Sequence, residues 1–305
     1  MKYFQKLYVV IVLSLFSTTY AQVDSIYVGE SNIQTYTPSK LLEKGKLDIK
    51  WFNNLYTQTR AEDDGEIVDV DRSNYFTTSL EIFTGVSESK KLNAGLILEF
   101  RSNTFGGKSA GSVFGFNNQL GESRSRFTHI APSIKIAPFE SLTNFSIQSS
   151  FFIPLHKQES DSKFAFLAAK SFIWQNRFFY DYTFTGSKFQ LFSELGTRFF
   201  FGKKSKNPDG SSNPEGGYAN NSVELAPGVF LSYFPSNKFT VLTFLQHAQL
   251  IEISNKFSQN YTATGLGAKY QLSQTLNIET IYSKFIRGND SGLGQSFNLG
   301  IRAIF

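Results

Sequence analysis

The sequence of 305 residues contains no cysteine. We therefore expect neither a disulfide framework nor a lipoprotein anchor, and a zinc site with thiolate ligands is excluded. Beyond residue 21, no apolar run approaches the roughly 18 residues that a transmembrane helix needs. These absences exclude disulfide-rich folds, thiolate metal centres and helical membrane proteins.

Residues 1–21 have the three-part pattern of a secretory signal peptide. Lys2 and Lys6 precede an apolar run over 7–16, and small residues follow up to Ala21. The run is too short to span a bilayer as a helix, and a buried N-terminal helix is the alternative. Cleavage after Ala21 would leave 28 basic and 25 acidic residues. That small net charge gives no basis for a nucleic-acid partner.

The chain is rich in aromatic residues, with 33 phenylalanines and 14 tyrosines. Such an excess fits a lipid-facing surface with interfacial girdles better than a soluble sandwich. The last eleven residues, 295–305, alternate between apolar and polar side chains, as a strand with one apolar face does. The apolar parity consists of Phe297, Leu299, Ile301, Ala303 and Phe305.

This segment resembles the terminal strand of Gram-negative outer-membrane β-barrels, whose final Phe is read by the insertion machinery. The resemblance implies an outer-membrane location and the role of a membrane-insertion signal for Phe305. It also implies outer-membrane lipids, lipopolysaccharide and the insertion machinery as partners.

Period-two patterning continues through the chain and predicts an all-β fold, a transmembrane up-and-down antiparallel β-barrel over residues 45–305. About ten residues suffice to cross an apolar band of about 25 Å at a tilt of about 40°. About twelve strands are predicted, near 45–60, 74–88, 91–105, 125–138, 144–156, 170–184, 189–202, 222–235, 239–251, 260–272, 275–287 and 295–305. Both faces of the strand at 239–251 are mixed, so its register stays unassigned.

The predicted connections alternate in length, as short periplasmic turns and long outer loops do. The longer ones lie at 61–73, 106–124, 157–169, 203–221, 252–259 and 288–294. Residues 22–44 precede the first strand as a periplasmic N-terminal segment. Two interpretations of this segment stay open: a flexible tail, or a small plug that folds back into the lumen.

The polar parity of the strands carries charges of both signs. Because Arg or Lys on the lipid face near the midplane costs about 2–4 kcal/mol, we assign this parity to the lumen. The predicted pore-lining residues are Glu81, Glu99, Arg101, Lys135, Arg177, Asp181, Glu194, Arg198, Glu224, Lys269, Glu279 and Arg302. The same parity includes Asp48, Lys50, Arg60 and Arg287. These charges predict a salt-bridge network that narrows the lumen, a water-filled pore without strong charge selectivity, or both.

Inward phenylalanines interrupt this polar lining at Phe83, Phe179, Phe192 and Phe230. They indicate a greasy track or a constriction, and ordinary gap filling is the alternative. Twelve strands about 4.8 Å apart give a backbone diameter of about 24 Å, which leaves about 10 Å or less between opposing side chains. Such a lumen would admit small solutes and exclude folded proteins.

Two predicted strands contain an Ala-Pro dipeptide, Ala131-Pro132 and Ala226-Pro227. Because proline removes a ladder donor, we expect a bulge or a local kink at each. These segments are similar to strands of the outer-membrane transporters grouped with the phenol-degradation pathway, and more distantly to fatty-acid-type channels. The resemblance covers about twenty residues and the architecture, and it assigns no functional residue.

A catalytic barrel is a separate class, because outer-membrane phospholipases also have twelve strands. Their signature places His and Ser two residues apart on one strand face. Here Ala131 takes the place of that serine after His129, and only Ser133 shares its parity. His156 adjoins a predicted loop, and His247 lies on the strand of unassigned register. We predict no catalytic residue, and a lipid hydrolase of another type is the alternative.

Acidic residues crowd the predicted loop at 61–73. Asp69-Val70-Asp71 is similar to the opening of a calcium loop, but Leu80 stands where the twelfth-position Glu belongs. We predict a solvated loop, no metal site and no cofactor, with weak divalent-cation binding near lipopolysaccharide as the alternative. The predicted function is passive passage of unknown small solutes through a monomeric barrel. An occluded structural or surface-interaction barrel is the competing class.

Deletion of Phe305 should impair membrane insertion, because the resemblance makes this residue part of the insertion signal. The measurement is heat-modifiable migration on electrophoresis, which separates folded from unfolded barrels. Normal heat-modifiable folding of the truncated chain would contradict this interpretation of the terminal strand.

Overall fold

The computed structural model describes residues 39–63, 65–155, 166–186, 188–202, 221–253 and 258–305. The predicted signal peptide, most of the N-terminal segment, His156 and nearly all of the loop at 203–221 lie outside these ranges. Among the described residues, no helix is both long and apolar enough to cross a membrane.

The described chain is almost entirely antiparallel β-sheet, with one short 3₁₀ helix at Ala110–Gly115. Each long strand pairs with its neighbour in sequence, as the period-two pattern predicts. The strands are β1 (Leu47–Asp63), β2 (Glu66–Gly85), β3 (Leu92–Thr104), β4 (Ser123–Ile136), β5 (Phe145–Pro154), β6 (Phe172–Thr183), β7 (Phe189–Phe201), β8 (Ser222–Ser236), β9 (Phe239–Glu252), β10 (Ser258–Gln271), β11 (Leu276–Asn289), the two-residue β12 (Ser291–Gly292) and β13 (Gln295–Ile304).

The ring closes between the first and last long strands. β1 pairs with β2 on one side and with β13 on the other, in a register that runs from Asp48–Ile304 to Thr57–Gln295. The two-residue β12 adds a short pairing to β1 at Ala61 and Glu62. Twelve long strands thus form a closed up-and-down barrel, which confirms the predicted fold class.

The outward face of this ring is apolar. Leu96, Leu231 and Leu266 are among its exposed side chains, and aromatic residues such as Trp174 and Tyr182 are exposed nearer the strand ends. A water-soluble protein would bury such a continuous surface, whereas a bilayer covers it with acyl chains. A closed ring also leaves no unpaired sheet edge, which hydrocarbon could not satisfy. The barrel is therefore built to span a membrane.

The prediction of a loop at 61–73 is wrong, because most of these residues belong to strands. β1 continues to Asp63 and β2 begins at Glu66, so the hairpin extends well beyond the expected strand ends. Asp69 and Asp71 lie inside β2, where an extended backbone cannot wrap carboxylates around one ion. No group of acidic or histidine side chains suited to a metal ion occurs in the described part of the chain.

The bulges expected at the two Ala-Pro dipeptides are absent. Pro132 keeps its pairing with Leu96, and Pro227 keeps its pairing with Leu195, without a register shift. On the opposite side, the ladder to the next strand skips both dipeptides. The missing proline N–H therefore interrupts one ladder without changing its register.

The closing seam carries a bidentate ion pair between Arg302 and Asp48, with N–O distances of 2.9 and 2.6 Å. Asp48→Ala should lower the free energy of unfolding by about 1–3 kcal/mol. Both side chains of the pair are partly buried, so the loss should fall between the cost of breaking an exposed ion pair and that of breaking a buried one. Urea titration in vesicles measures the effect. Glu140→Ala is the control, since it removes the partner of Lys91 at an exposed turn. Equal losses in both variants would contradict the role of the seam pair.

Candidate functional site in the barrel lumen

The inward strand faces enclose a cavity of about 600 Å³. Most of the predicted pore-lining residues lie on its wall, whereas Arg101, Lys135 and Asp181 do not. Those on the wall are Glu81, Glu99, Arg177, Glu194, Arg198, Glu224, Lys269, Glu279 and Arg302. Of the other inward-parity residues, Lys50 also lines the cavity, and Asp48 holds Arg302 at the seam.

Arg60 and Arg287 do not fit the inward assignment. Arg60 is exposed in the outer part of the β1–β2 hairpin, beyond a register shift that begins at Gln58. Arg287 follows a bulge and pairs with Thr262, whose hydroxyl contacts outward-facing His247. Simple alternation failed at Arg287 because a bulge reverses the parity of the residues beyond it.

The wall charges form ion pairs between neighbouring strands. Arg177 Nε donates to Glu194 Oε1 at 2.7 Å, which joins β6 to β7. Arg198 lies 3.2 Å from Glu224 on β8. The predicted salt-bridge network is therefore present, and these two pairs tie β6 to β7 and β7 to β8 along the wall.

Two lysines share one carboxylate on the opposite wall. Lys50 on β1 and Lys269 on β10 lie 3.4 and 3.2 Å from the two carboxylate oxygens of Glu279 on β11. Glu81, by contrast, makes no hydrogen bond or ion pair with a described residue, and it faces the cavity. Counting Lys50, the wall carries five cations and five anions, so its net charge is close to zero.

A row of phenylalanines crosses four adjacent strands. Phe179, Phe192, Phe230 and Phe244 have successive ring-centroid distances of 6.0, 5.5 and 5.3 Å. Such spacing is that of interacting aromatic pairs. Phe244 escaped sequence reasoning because it lies on the strand of unassigned register. Phe83, the fourth predicted residue, belongs to a different cluster.

That cluster holds the end of the N-terminal segment inside the lumen. Leu42 is 1% exposed and packs against Phe83, Ile97 and Ala131. Its backbone N–H donates to Asn93 Oδ1 at 3.2 Å. Residues 39–44 are therefore anchored within the barrel, as the plug interpretation predicts, whereas residues 22–38 lie outside the described part.

Ion pairs and a backbone contact fasten this segment to the β2–β3 turn. Lys90 lies 2.5 Å from Glu43, and Lys44 lies 2.6 Å from Glu88. The hydrogen bond and charge of Lys90 hold the pKa of Glu43 below its usual range. Both pairs are exposed, so each adds little to stability. The stronger restraints are the close packing of the Glu43 backbone carbonyl against Gly85 and the burial of the Leu42 side chain.

A second segment enters the lumen from the β5–β6 connection. Asn103 Nδ2 donates to the carbonyls of Phe166 and Leu167 at 2.8 and 3.1 Å. Leu167 and Ala168 are buried, and Ala169 packs against a cluster that contains Phe200. Sequence reasoning missed this segment. The apolar run at 166–169 inside a predicted outer loop was the available signal.

Among the described residues, no hydrogen bond joins His129 to Ser133, the serine that shares its parity. His129 Nδ1 lies 3.2 Å from Glu99 Oε1. The single Ser133 O–H instead has two acceptors within reach, Ser150 Oγ at 2.8 Å and the Ala131 carbonyl at 3.1 Å. A serine engaged in this way is not aligned with a histidine base.

The fold and the lumen together define a transmembrane β-barrel. No protein-family model and no curated protein matches this chain. An outer-membrane channel from Pseudomonas putida F1 is similar in structure, with a TM-score of 0.67 and 11% identity over 93% of this chain and 100% of that chain. The β domain of the Bordetella autotransporter BrkA has a TM-score of 0.56 and 12% identity over 85% of this chain and 99% of that chain. This chain therefore has the fold of Gram-negative outer-membrane β-barrels.

Gly85→Ala should displace the anchored segment, because a Cβ at Gly85 would lie 2.0 Å from the Glu43 carbonyl oxygen. A cysteine introduced at buried Ser39 reports the change. We expect it to react several-fold faster with a hydrophilic maleimide in the Gly85→Ala background. Gly196→Ala is the matched control, since its Cβ would meet nothing closer than 3.5 Å. Equal rates in the two backgrounds would show that residues 39–44 are not held by this contact.

Proposed function

We propose that the protein is a passive outer-membrane channel for small solutes. The observation that supports the proposal is the cavity of about 600 Å³, whose wall carries charged and amide side chains. A wet, polar interior is what an aqueous passage through a barrel requires. A barrel with a purely structural role could instead fill its interior with apolar side chains.

The balance of wall charge bears on which solutes would pass. Five cations and five anions line the cavity, and most are paired at their own section of wall. Paired charges leave a weak net field, so neither anions nor cations are strongly favoured. The inward segments at 39–44 and 166–169 narrow the passage, which limits it to small solutes.

These two segments also favour the competing class, an occluded barrel with a structural or surface role. Leu42 and Leu167 are almost fully buried, so each segment fills the lumen where it lies. If the two segments block the passage together, ions will not cross. The alternative therefore makes an opposite prediction for conductance.

A lipid hydrolase is the remaining class, and His129 is its testable residue. Purified protein should show no hydrolysis of phospholipid or lipid A, because the Ser133 hydroxyl is engaged with Ala131 and Ser150. Turnover that disappears in His129→Ala but survives in His247→Ala would replace the channel proposal with an enzyme.

Single-channel recording in planar bilayers tests the proposal. We expect steady openings with weak ion selectivity. Glu224→Gln with Glu279→Gln should shift the selectivity toward anions, because it leaves Arg198, Lys50 and Lys269 without their carboxylate partners. Glu140→Gln, at an exposed turn, is the control. Silence across voltage and salt would contradict the channel and support the occluded barrel.

A further inference from the structure

The connection between β3 and β4, residues 105–122, folds down over the outward face of the barrel. We name it the outer-wall flap. Ser102 Oγ donates to the Val113 carbonyl at 2.6 Å, and Asn74 Nδ2 donates to the Lys108 carbonyl at 3.1 Å. Ser102 and Asn74 have outward parity, since Glu99 and Glu81 on the same strands face the cavity. The flap therefore lies against the outside of the wall.

Polar side chains on the outward face explain why the flap packs there. Thr57 donates to Asn74 Oδ1 at 2.7 Å, and Asn74 Nδ2 donates to Thr104 at 3.0 Å. Ser125 Oγ donates to the Phe116 carbonyl at 2.8 Å. Left against hydrocarbon, these polar groups would be costly, because acyl chains offer no hydrogen bonds. The flap covers them, and all four of these strand residues are buried.

The flap's own outer surface is apolar. Phe114, Phe116 and Leu120 are 52%, 44% and 55% exposed. The Phe114 ring packs on Phe76 with centroids 5.1 Å apart, and the Phe116 ring packs on Phe100 at 5.5 Å. Both strand partners have outward parity. The exposed apolar surface of the flap is thus continuous with the apolar belt of the barrel.

The height of the flap on the wall identifies what surrounds it. At about 3.3 Å per residue and a tilt of about 40°, the eight steps from Leu92 to Phe100 rise about 20 Å. The apolar band of such barrels is about 25 Å tall, so the flap lies at its outer rim. The ion pair between Lys108 and Glu122 balances the charge on its polar edge.

We propose that the outer-wall flap is an interfacial anchor whose Phe114, Phe116 and Leu120 contact the acyl chains of the outer leaflet. Continuity with the lipid-facing belt favours acyl chains over a protein partner. The anchor would extend the apolar surface on the β1–β4 side only. It is independent of the proposed transport, because none of these side chains faces the lumen.

The absence of native cysteine permits a clean test with nitroxide labels. Phe114→Cys, Phe116→Cys and Leu120→Cys are labelled one at a time in purified barrels reconstituted into phospholipid vesicles. Collision rates with oxygen, which concentrates in acyl chains, are compared with those of a water-soluble nickel chelate. Leu231→Cys on the lipid-facing wall and Glu88→Cys at a periplasmic turn are the two controls.

We expect a several-fold lower nickel collision rate at the three flap sites than at Glu88→Cys, with oxygen rates close to those at Leu231→Cys. Nickel rates at all three sites equal to that at Glu88→Cys would place the flap in water and overturn the proposal. Heat-modifiable migration confirms that each labelled barrel is folded. Because the sites are exposed, any one variant that fails to fold leaves the other two to decide.

Discussion

A bilayer offers no hydrogen-bond partner to a backbone, and the rest of this structure depends on that constraint. A sheet that crosses hydrocarbon must pair every strand on both sides, so the pairing of β1 with β13 is indispensable. In the closed ring, alternate residues of each strand face the lipid and the lumen. Apolar side chains occupy the first parity and charges the second because the cost of a charge differs so greatly between them.

The same constraint accounts for the character of the lumen. Because charges are confined to the inward face, side chains of opposite charge on neighbouring strands pair at close range, as Arg177–Glu194 and Arg198–Glu224 do. Local pairing satisfies the charges at the wall and leaves a cavity between the strands. The two inward segments narrow that space from different connections. The width of the cavity therefore depends on short inward segments as well as on the strands.

Sequence reasoning succeeded where one period continued without interruption. The terminal strand, β3 and β6 alternate over most of their length, and their inward residues Glu99, Arg177 and Arg302 lie on the cavity wall. The inward prediction for Arg287 was wrong because a bulge reversed the parity. The loop predicted at 61–73 was wrong because its many acidic residues resemble those of a solvated loop, although most of them lie in β1 and β2. On β9, apolar Leu242 and Phe244 point inward, so neither face appeared polar.

The segments that fold back from the β3–β4 and β5–β6 connections escaped prediction for a different reason, whereas an inward fold of the N-terminal segment was one of the two interpretations left open. Leu42, Leu167 and Val113 are buried by contacts with distant strands, and no local period signals such contacts. Polar residues at outward positions, such as Asn74 and Ser102, were the available indication that something covers the wall. Burial of this kind depends on which surfaces the closed ring brings together, so it requires the three-dimensional structure.

A water-filled passage would leave Ser232, on the wall of the lumen, accessible to soluble reagents. Ser232→Cys would be the only thiol in the chain, and membrane-impermeant thiol reagents would be added to either side of oriented vesicles. We expect modification from both sides, at rates that fall with reagent size. Reaction only after denaturation would show that the lumen is closed to solutes and would contradict the proposed passage.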